Sequence, residues 1–189
     1  MSKFVIGLIL GVLVVPVLVY AYFSSGMAPV ATAASPMPFE HTLAHMAMHA
    51  RMKKEMPKSV PIVADEAAYD AGALIYKADC AVCHGLPLTP ATHIAQGMFP
   101  KPPKLMEGTG VTDDPPAETY WKVAGGIRMT GMPGFDKTLS ATQMWQASLL
   151  LANADKLPQS AKQILVEATA PSAAAPAAPT APASPATTK

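Results

Sequence analysis

Residues 4–23 read FVIGLILGVLVVPVLVYAYF and contain no charged side chain. Inside hydrocarbon a lone segment must satisfy its backbone N–H and C=O groups internally, so such a run is restricted to a helix. At 1.5 Å rise per residue a helix of this length reaches ~30 Å, the thickness of a bilayer's hydrocarbon core. Tyr20 and Tyr22 fall at its distal end, where amphipathic rings suit the headgroup level. Pro16 is compatible with this reading, because membrane helices tolerate proline. A cleavable signal peptide competes, with Lys3 as its basic start and Ala31-Thr32-Ala33 as its cleavage site. Signal-peptide cores run only ~7–15 residues, however, and this run is longer. Residues 1–23 are therefore read as an uncleaved transmembrane signal anchor. Lys3 on one side and the charge-free residues 24–39 on the other put the N-terminus inside. The expected location is a bacterial cytoplasmic membrane, crossed once, with the remainder on the periplasmic side.

This run, together with Ala-rich flanks, explains how a chain scored 50% hydrophobic carries only 14% charged residues and 20 prolines. Residues 24–64 divide into an Ala/Ser/Pro/Gly linker and a neck, FEHTLAHMAMHARMKKEM, composed of good helix formers. His41, His45 and His49 recur every four residues and share one helical face. Pro57 and Pro61 stop that helix. Residues 65–158 form the expected compact domain, with seven Lys/Arg against ten Asp/Glu. Residues 159–189 are read as a short extension followed by a disordered Ala/Pro-rich tail, whose small side chains cannot offset the entropy of ordering it. The formal net charge of +1, with no strong basic surface, argues against nucleic acid as a partner.

Both cysteines lie in one short motif, Cys80-Ala81-Val82-Cys83-His84. Two thiols on one turn can add to the two vinyl groups of a haem, after which the adjacent imidazole reaches the iron. A zinc site would need further ligands, and no second cysteine pair exists. A thioredoxin-type dithiol would need a βαβ setting, whereas the sequence before Cys80 is helical. The motif is thus assigned to one covalent haem c, with His84 on iron. A thioether in the sixth position would favour electron transfer. The run Gly125-Gly126-Ile127-Arg128-Met129-Thr130-Gly131-Met132-Pro133-Gly134-Phe135 offers both Met129 and Met132, in a glycine-rich loop suited to lying against a flat cofactor. Spacing alone leaves either methionine open.

On these residues, residues 65–158 resemble the class I c-type cytochromes, small helical domains with His/Met-ligated iron. The resemblance is strongest at Cys80–Gly85 and next at Met132-Pro133, where the family's axial methionine precedes a proline. It implies an all-α fold around one covalent haem, preceded here by the single transmembrane helix. It also implies Met132 as the sixth ligand. Pro103-Lys104-Leu105, followed by Gly108, is similar to the family's Pro-x-Leu element, which implies that the Pro103 carbonyl takes the second ring nitrogen of His84. Such a partner orients the imidazole and strengthens it as a donor. Gly72 with Tyr76, and Trp145 with Leu149, are similar to the family's crossing terminal helices, and residues 116–124 supply a third helix. Residues 86–102, with four prolines, His93 and Phe99, depart from the family and are read as a loop over one haem edge.

With both axial positions filled by protein, one-electron transfer is the expected task, and no nucleophile or acid–base constellation suggests an enzyme. Arg128, Tyr120, Trp121, Lys101 and Lys104 are candidates for the haem propionates, Arg128 foremost because it lies in the ligand loop. The expected partners are a redox donor and acceptor, including a membrane respiratory complex. Two alternatives stand beside a tethered carrier. One is a cytochrome subunit fixed in a membrane oxidase or dehydrogenase. The other is copper handling by the neck, where His41, His45 and His49 accompany Met46, Met48, Met52 and Met56; a solvated polar helix is the preferred reading of that neck.

Overall fold

The computed structural model describes residues 2–107 and 112–167, and every regular element among them is helical. Helix α1 (Ser2–Ser24) keeps Pro16 within it. Its segment Gly7–Ser24 is long and apolar enough to cross a membrane and buries none of its residues against the rest of the protein. Helix α2 (Glu40–Glu55) follows, with Phe39 at its N-cap in left-handed conformation (φ 63°). The Ala/Pro-rich tail beyond residue 167, and Gly108, lie outside the described residues.

Helix α3 (Glu66–Ile75) begins where the Asp65 carboxylate accepts the Ala68 N–H at 2.8 Å, which satisfies one of the orphan donors of a helix start. The helical path does not end with α3. A π-helical turn (Tyr76–Cys80), in which the Ala81 N–H reaches back to the Tyr76 carbonyl, leads directly into α4 (Ala81–His84). Gly85 (φ 77°) ends the run. A short helix α5 (His93–Gly97), capped by the Thr92 hydroxyl, interrupts the stretch read from sequence as loop.

Helix α6 (Pro116–Gly125) has proline in its first turn, where the missing N–H costs nothing. Helix α7 (Ala141–Ala152) opens on a capping box formed reciprocally by Ser140 and Gln143. The principal packing is of α3 on α7, α6 on α7, and α3 on α8 (Gln159–Val166). Gly72 makes the first crossing possible. A Cβ there would fall 2.9 Å from the Gln146 carbonyl carbon and nearer still to its oxygen. Trp145 and Leu149 are both buried in this layer.

The core comprises Ala73, Tyr76, Leu150, Leu151, Leu157, Ala161 and Leu165. Sequence reasoning ended the compact domain at Pro158. Yet Ala161 and Leu165 of α8 are as buried as the centre of α7, so the packed body reaches Val166. Polar contacts fix α8 at both ends. The Ser160 hydroxyl donates to Glu66 at 2.7 Å, and the Lys77 ammonium donates to the Ile164 and Glu167 carbonyls at the C-terminal end.

Candidate haem site

The site is built on the turn that joins α3 to α4. Its π-helical hydrogen bonding leaves Tyr76 fully buried, and the Tyr76 hydroxyl donates to the Gly85 carbonyl at 2.7 Å. That bond spans the whole cysteine motif and fixes its two ends relative to each other. Burial pushes the Tyr76 phenol up, with lesser contributions from Cys80 and Glu107, so the hydroxyl stays a donor. Sequence reading noted Tyr76 only as a packing residue; nothing in its spacing revealed the bond.

Cys80 and Cys83 are free thiols, both half-buried. Burial, then the neighbouring Asp79 and Cys83, push the Cys80 thiol up to about 12. Next along the turn, the His84 ring faces two influences. Burial lowers its pKa, and the hydrogen bond to Pro103 opposes that shift less strongly. His84 Nδ1 lies 2.8 Å from the Pro103 carbonyl oxygen; since a carbonyl only accepts, the ring proton sits on Nδ1 and Nε2 keeps its lone pair. Among the described residues Nε2 has no hydrogen-bond partner. A shallow cleft beside this ring is lined by Cys83, Ala91, Ala95, Lys101 and Pro102. The Thr92 hydroxyl donates to the Val82 carbonyl at 2.6 Å and ties α5 to the motif.

The loop after α6 folds back on that helix. The Phe135 N–H donates to the Val123 carbonyl at 2.9 Å, and the Ile127 N–H donates to the Met132 carbonyl at 3.2 Å. Gly126 (φ 65°) permits this closure, since a Cβ would sit 2.9 Å from the Met132 oxygen and 2.6 Å from the Pro133 carbonyl carbon. The two methionines diverge. Met129, left-handed at φ 62°, is 91% exposed, whereas Met132 is half-buried. The Met98 side chain packs on Gly131, a contact that sequence reasoning missed and that the glycine alone hinted at.

The remaining candidates are dispersed. Tyr120 stacks on Trp145 with ring centroids 4.2 Å apart and so belongs to the α6–α7 contact. Trp121 Nε1 donates to the Glu55 carboxylate of α2 at 3.3 Å, a partner outside the cysteine turn. Arg128 is exposed and forms no ion pair among the described residues. Lys104 pairs with Glu107 at 3.1 Å and also donates to the Thr89 carbonyl, while Lys101 is exposed. His93 is exposed at the start of α5. On α2, His41 and His45 stack with centroids 4.0 Å apart, and His49 follows at 5.8 Å. Among the described residues, no group of three or more His, Cys, Asp or Glu side chains is arranged to hold a metal ion.

A flat apolar cofactor fits the residues around the cysteine turn. Between Gly85 and Ser140 the buried apolar side chains among the described residues are Ala95, Ala117 and Val123, all small. Larger ones such as Leu86, Met98, Leu105, Met106, Ile127, Met132 and Phe135 are half-buried, and Leu88, Ile94, Phe99 and Met129 are exposed. Among the described residues this part of the domain thus has no large buried apolar side chain of its own, next to an imidazole whose outer nitrogen has no hydrogen-bond partner there.

A helical domain in which two thiols and a carbonyl-backed imidazole share one turn has the plan of a c-type cytochrome. Residues 67–149 match the family model described as cytochrome c oxidase, cbb3-type, subunit III, and this segment is a c-type cytochrome domain. The family implies a covalently held haem c. No curated protein and no solved structure gives a significant match to the chain.

Proposed function

We propose that the protein is a membrane-tethered one-electron carrier, with Cys80 and Cys83 as the thioether attachment points and His84 and Met132 as axial ligands. The observation that carries this reading is the Pro103 carbonyl 2.8 Å from His84 Nδ1, which leaves Nε2 as the lone-pair donor directed away from the backbone. When bound, haem c supplies a metal centre that takes up and releases one electron. The chain's own residues do the rest. Pro103 sets the tautomer and orientation of His84, and Gly126 lets the Met132 backbone close against α6. The half-buried apolar walls, Leu86, Leu105, Ile127 and Phe135 among them, exclude water and lower the local polarity. Arg128 is assigned to a propionate, since it lies in the ligand loop without another ionic partner among the described residues. Tyr120 on Trp145 and Trp121 on Glu55 are engaged outside the cysteine turn and hold α6, the helix from which the Met132 loop departs.

The tether is α1, and the donor and acceptor are redox proteins at an extracytoplasmic membrane face. A second reading, a cytochrome subunit fixed in a membrane oxidase, draws on the family model's description. Two experiments test these readings. Cys80→Ala with Cys83→Ala should abolish haem that survives denaturation and acid extraction; covalent haem persisting in that variant would refute the attachment. Purification from membranes without crosslinking should yield the chain free of stoichiometric partners. A constant catalytic subunit would replace the carrier by the fixed subunit.

A further inference from the structure

Helix α2 has two opposed apolar faces, and only one has a partner in the protein. On the first face Met52 is buried, Met48 is half-buried, and Glu55 accepts the Trp121 N–H, so this face docks on α6. The opposite face follows the three- and four-residue steps of a helix through Leu43, Met46 and Ala50, with Phe39 at the N-cap one step before Leu43. Phe39 is 76% exposed, Leu43 57% and Met46 61%. Toward the C-terminal end this stripe is flanked by Lys53 and Lys54, with Lys58 just beyond.

Both acids of α2 are already engaged. Glu40 accepts the Met37 N–H at 2.8 Å, and Glu55 pairs with Arg51. Lys53, Lys54 and Lys58 have no ionic partner among the described residues, so the face combines an unpartnered apolar stripe with unneutralised cations. Residues 25–39, a short Ala/Ser/Pro-rich connection, join it to the apolar α1. A fully extended chain of that length spans ~50 Å at most, which keeps α2 within reach of any bilayer that α1 crosses.

We infer that α2 lies on the anionic surface of the bilayer, with Phe39, Leu43 and Met46 at the headgroup–acyl boundary and Lys53, Lys54 and Lys58 on lipid phosphates. A lipid surface matches both halves of this face. Its boundary accepts an apolar stripe, and its anionic headgroups attract adjacent lysines. Helix α2 then sits between membrane and haem domain and sets the orientation in which the domain is presented. The inference rests on reading α1 as the bilayer span.

The test uses the haem-loaded full chain in vesicles of phosphatidylcholine mixed with phosphatidylglycerol, spin-labelled in turn at Val12→Cys, His41→Cys, Leu43→Cys and Met46→Cys. Collision with oxygen, relative to a water-soluble nickel chelate, reports immersion. That ratio should be high at Val12 in α1, and at Leu43 and Met46 it should clearly exceed the His41 value, as expected for an interfacial helix. Lys53→Glu with Lys54→Glu should lower the immersed-to-free ratio of α2 by about fivefold per cation removed. Immersion at Val12 with Leu43 as water-exposed as His41 overturns the surface contact and leaves the anchor standing. Spin–spin broadening at Leu43, the sign of a second copy on this face, also overturns it. Water exposure at Val12 removes the anchor and the inference together.

Discussion

His84 and Met132, the two proposed ligands, depend differently on their surroundings. His84 follows the cysteines directly, so its chemistry is local, yet the atom that orients it, the Pro103 carbonyl, comes from nineteen residues away. Met129 and Met132 share one loop, the first exposed and the second half-buried, a difference that supports Met132 as the proposed ligand. Met132→Ala should therefore remove the weak sulfur-to-iron charge-transfer absorption of the ferric protein, lower its reduction potential and admit external ligands. Met129→Ala should leave that band in place. A band surviving the first change and lost in the second would reverse the assignment. Gly126→Ala should destabilise by about 1–3 kcal/mol in denaturant unfolding, because a side chain at φ 65° meets the Met132 and Pro133 backbone. An unchanged midpoint would show that the loop moves aside at little cost.

Among the elements, α8 makes the clearest energetic claim. Leu165 is 2% exposed in the same cluster as Tyr76 and Leu150, so Leu165→Ala should cost about 2–5 kcal/mol, read as a fall in the urea midpoint. A loss of only ~0.5 kcal/mol, the size typical of surface changes, would detach α8 from the core. Helix α6 carries a pH signature. Burial alone would lower the Lys122 ammonium, but its hydrogen bonds to Glu118 at 2.8 Å and Asp114 at 3.1 Å, with their charges, raise it above the ordinary 10.5. A group raised on folding stabilises below its unfolded pKa and loses that contribution as pH climbs through the folded value. The urea midpoint should therefore fall as pH rises past 10.5, and less steeply in Glu118→Gln. Equal slopes in the two proteins would sever the link to this cluster.

For the whole molecule, the proposed reading of α1 as a bilayer span predicts permanent attachment. The full-length chain should stay with membranes after alkaline carbonate extraction, and N-terminal sequencing should find no cut near Ala33. A soluble haem protein starting near that residue would make α1 a signal peptide. The haem domain should also be accessible to protease only from the extracytoplasmic side.

By itself the sequence determined whatever depends on neighbours along the chain. The charge-free run made α1 a helix, the Ser140–Gln143 spacing predisposed α7 to its capping box, and Cys80 to His84 set two thiols and an imidazole on one turn. Helices α3, α6 and α7 were legible because their periodic apolar faces sit between proline, glycine and capping residues. Only the tertiary structure decided which distant groups meet. Helix α8 is short and follows Pro158, so its membership of the core appears only when Ala161 and Leu165 find α3. The π-helical turn and the Tyr76 bond to the Gly85 carbonyl occur together, and no periodicity encodes a change from four- to five-residue hydrogen bonding. Trp121 turned toward Glu55 rather than the cysteine turn because α2 docks on α6, a contact between segments 66 residues apart. Covalent geometry and helix periodicity act over a few residues and can be read from the chain. Long-range pairing depends on which surfaces close against each other, and it exists only in the folded protein.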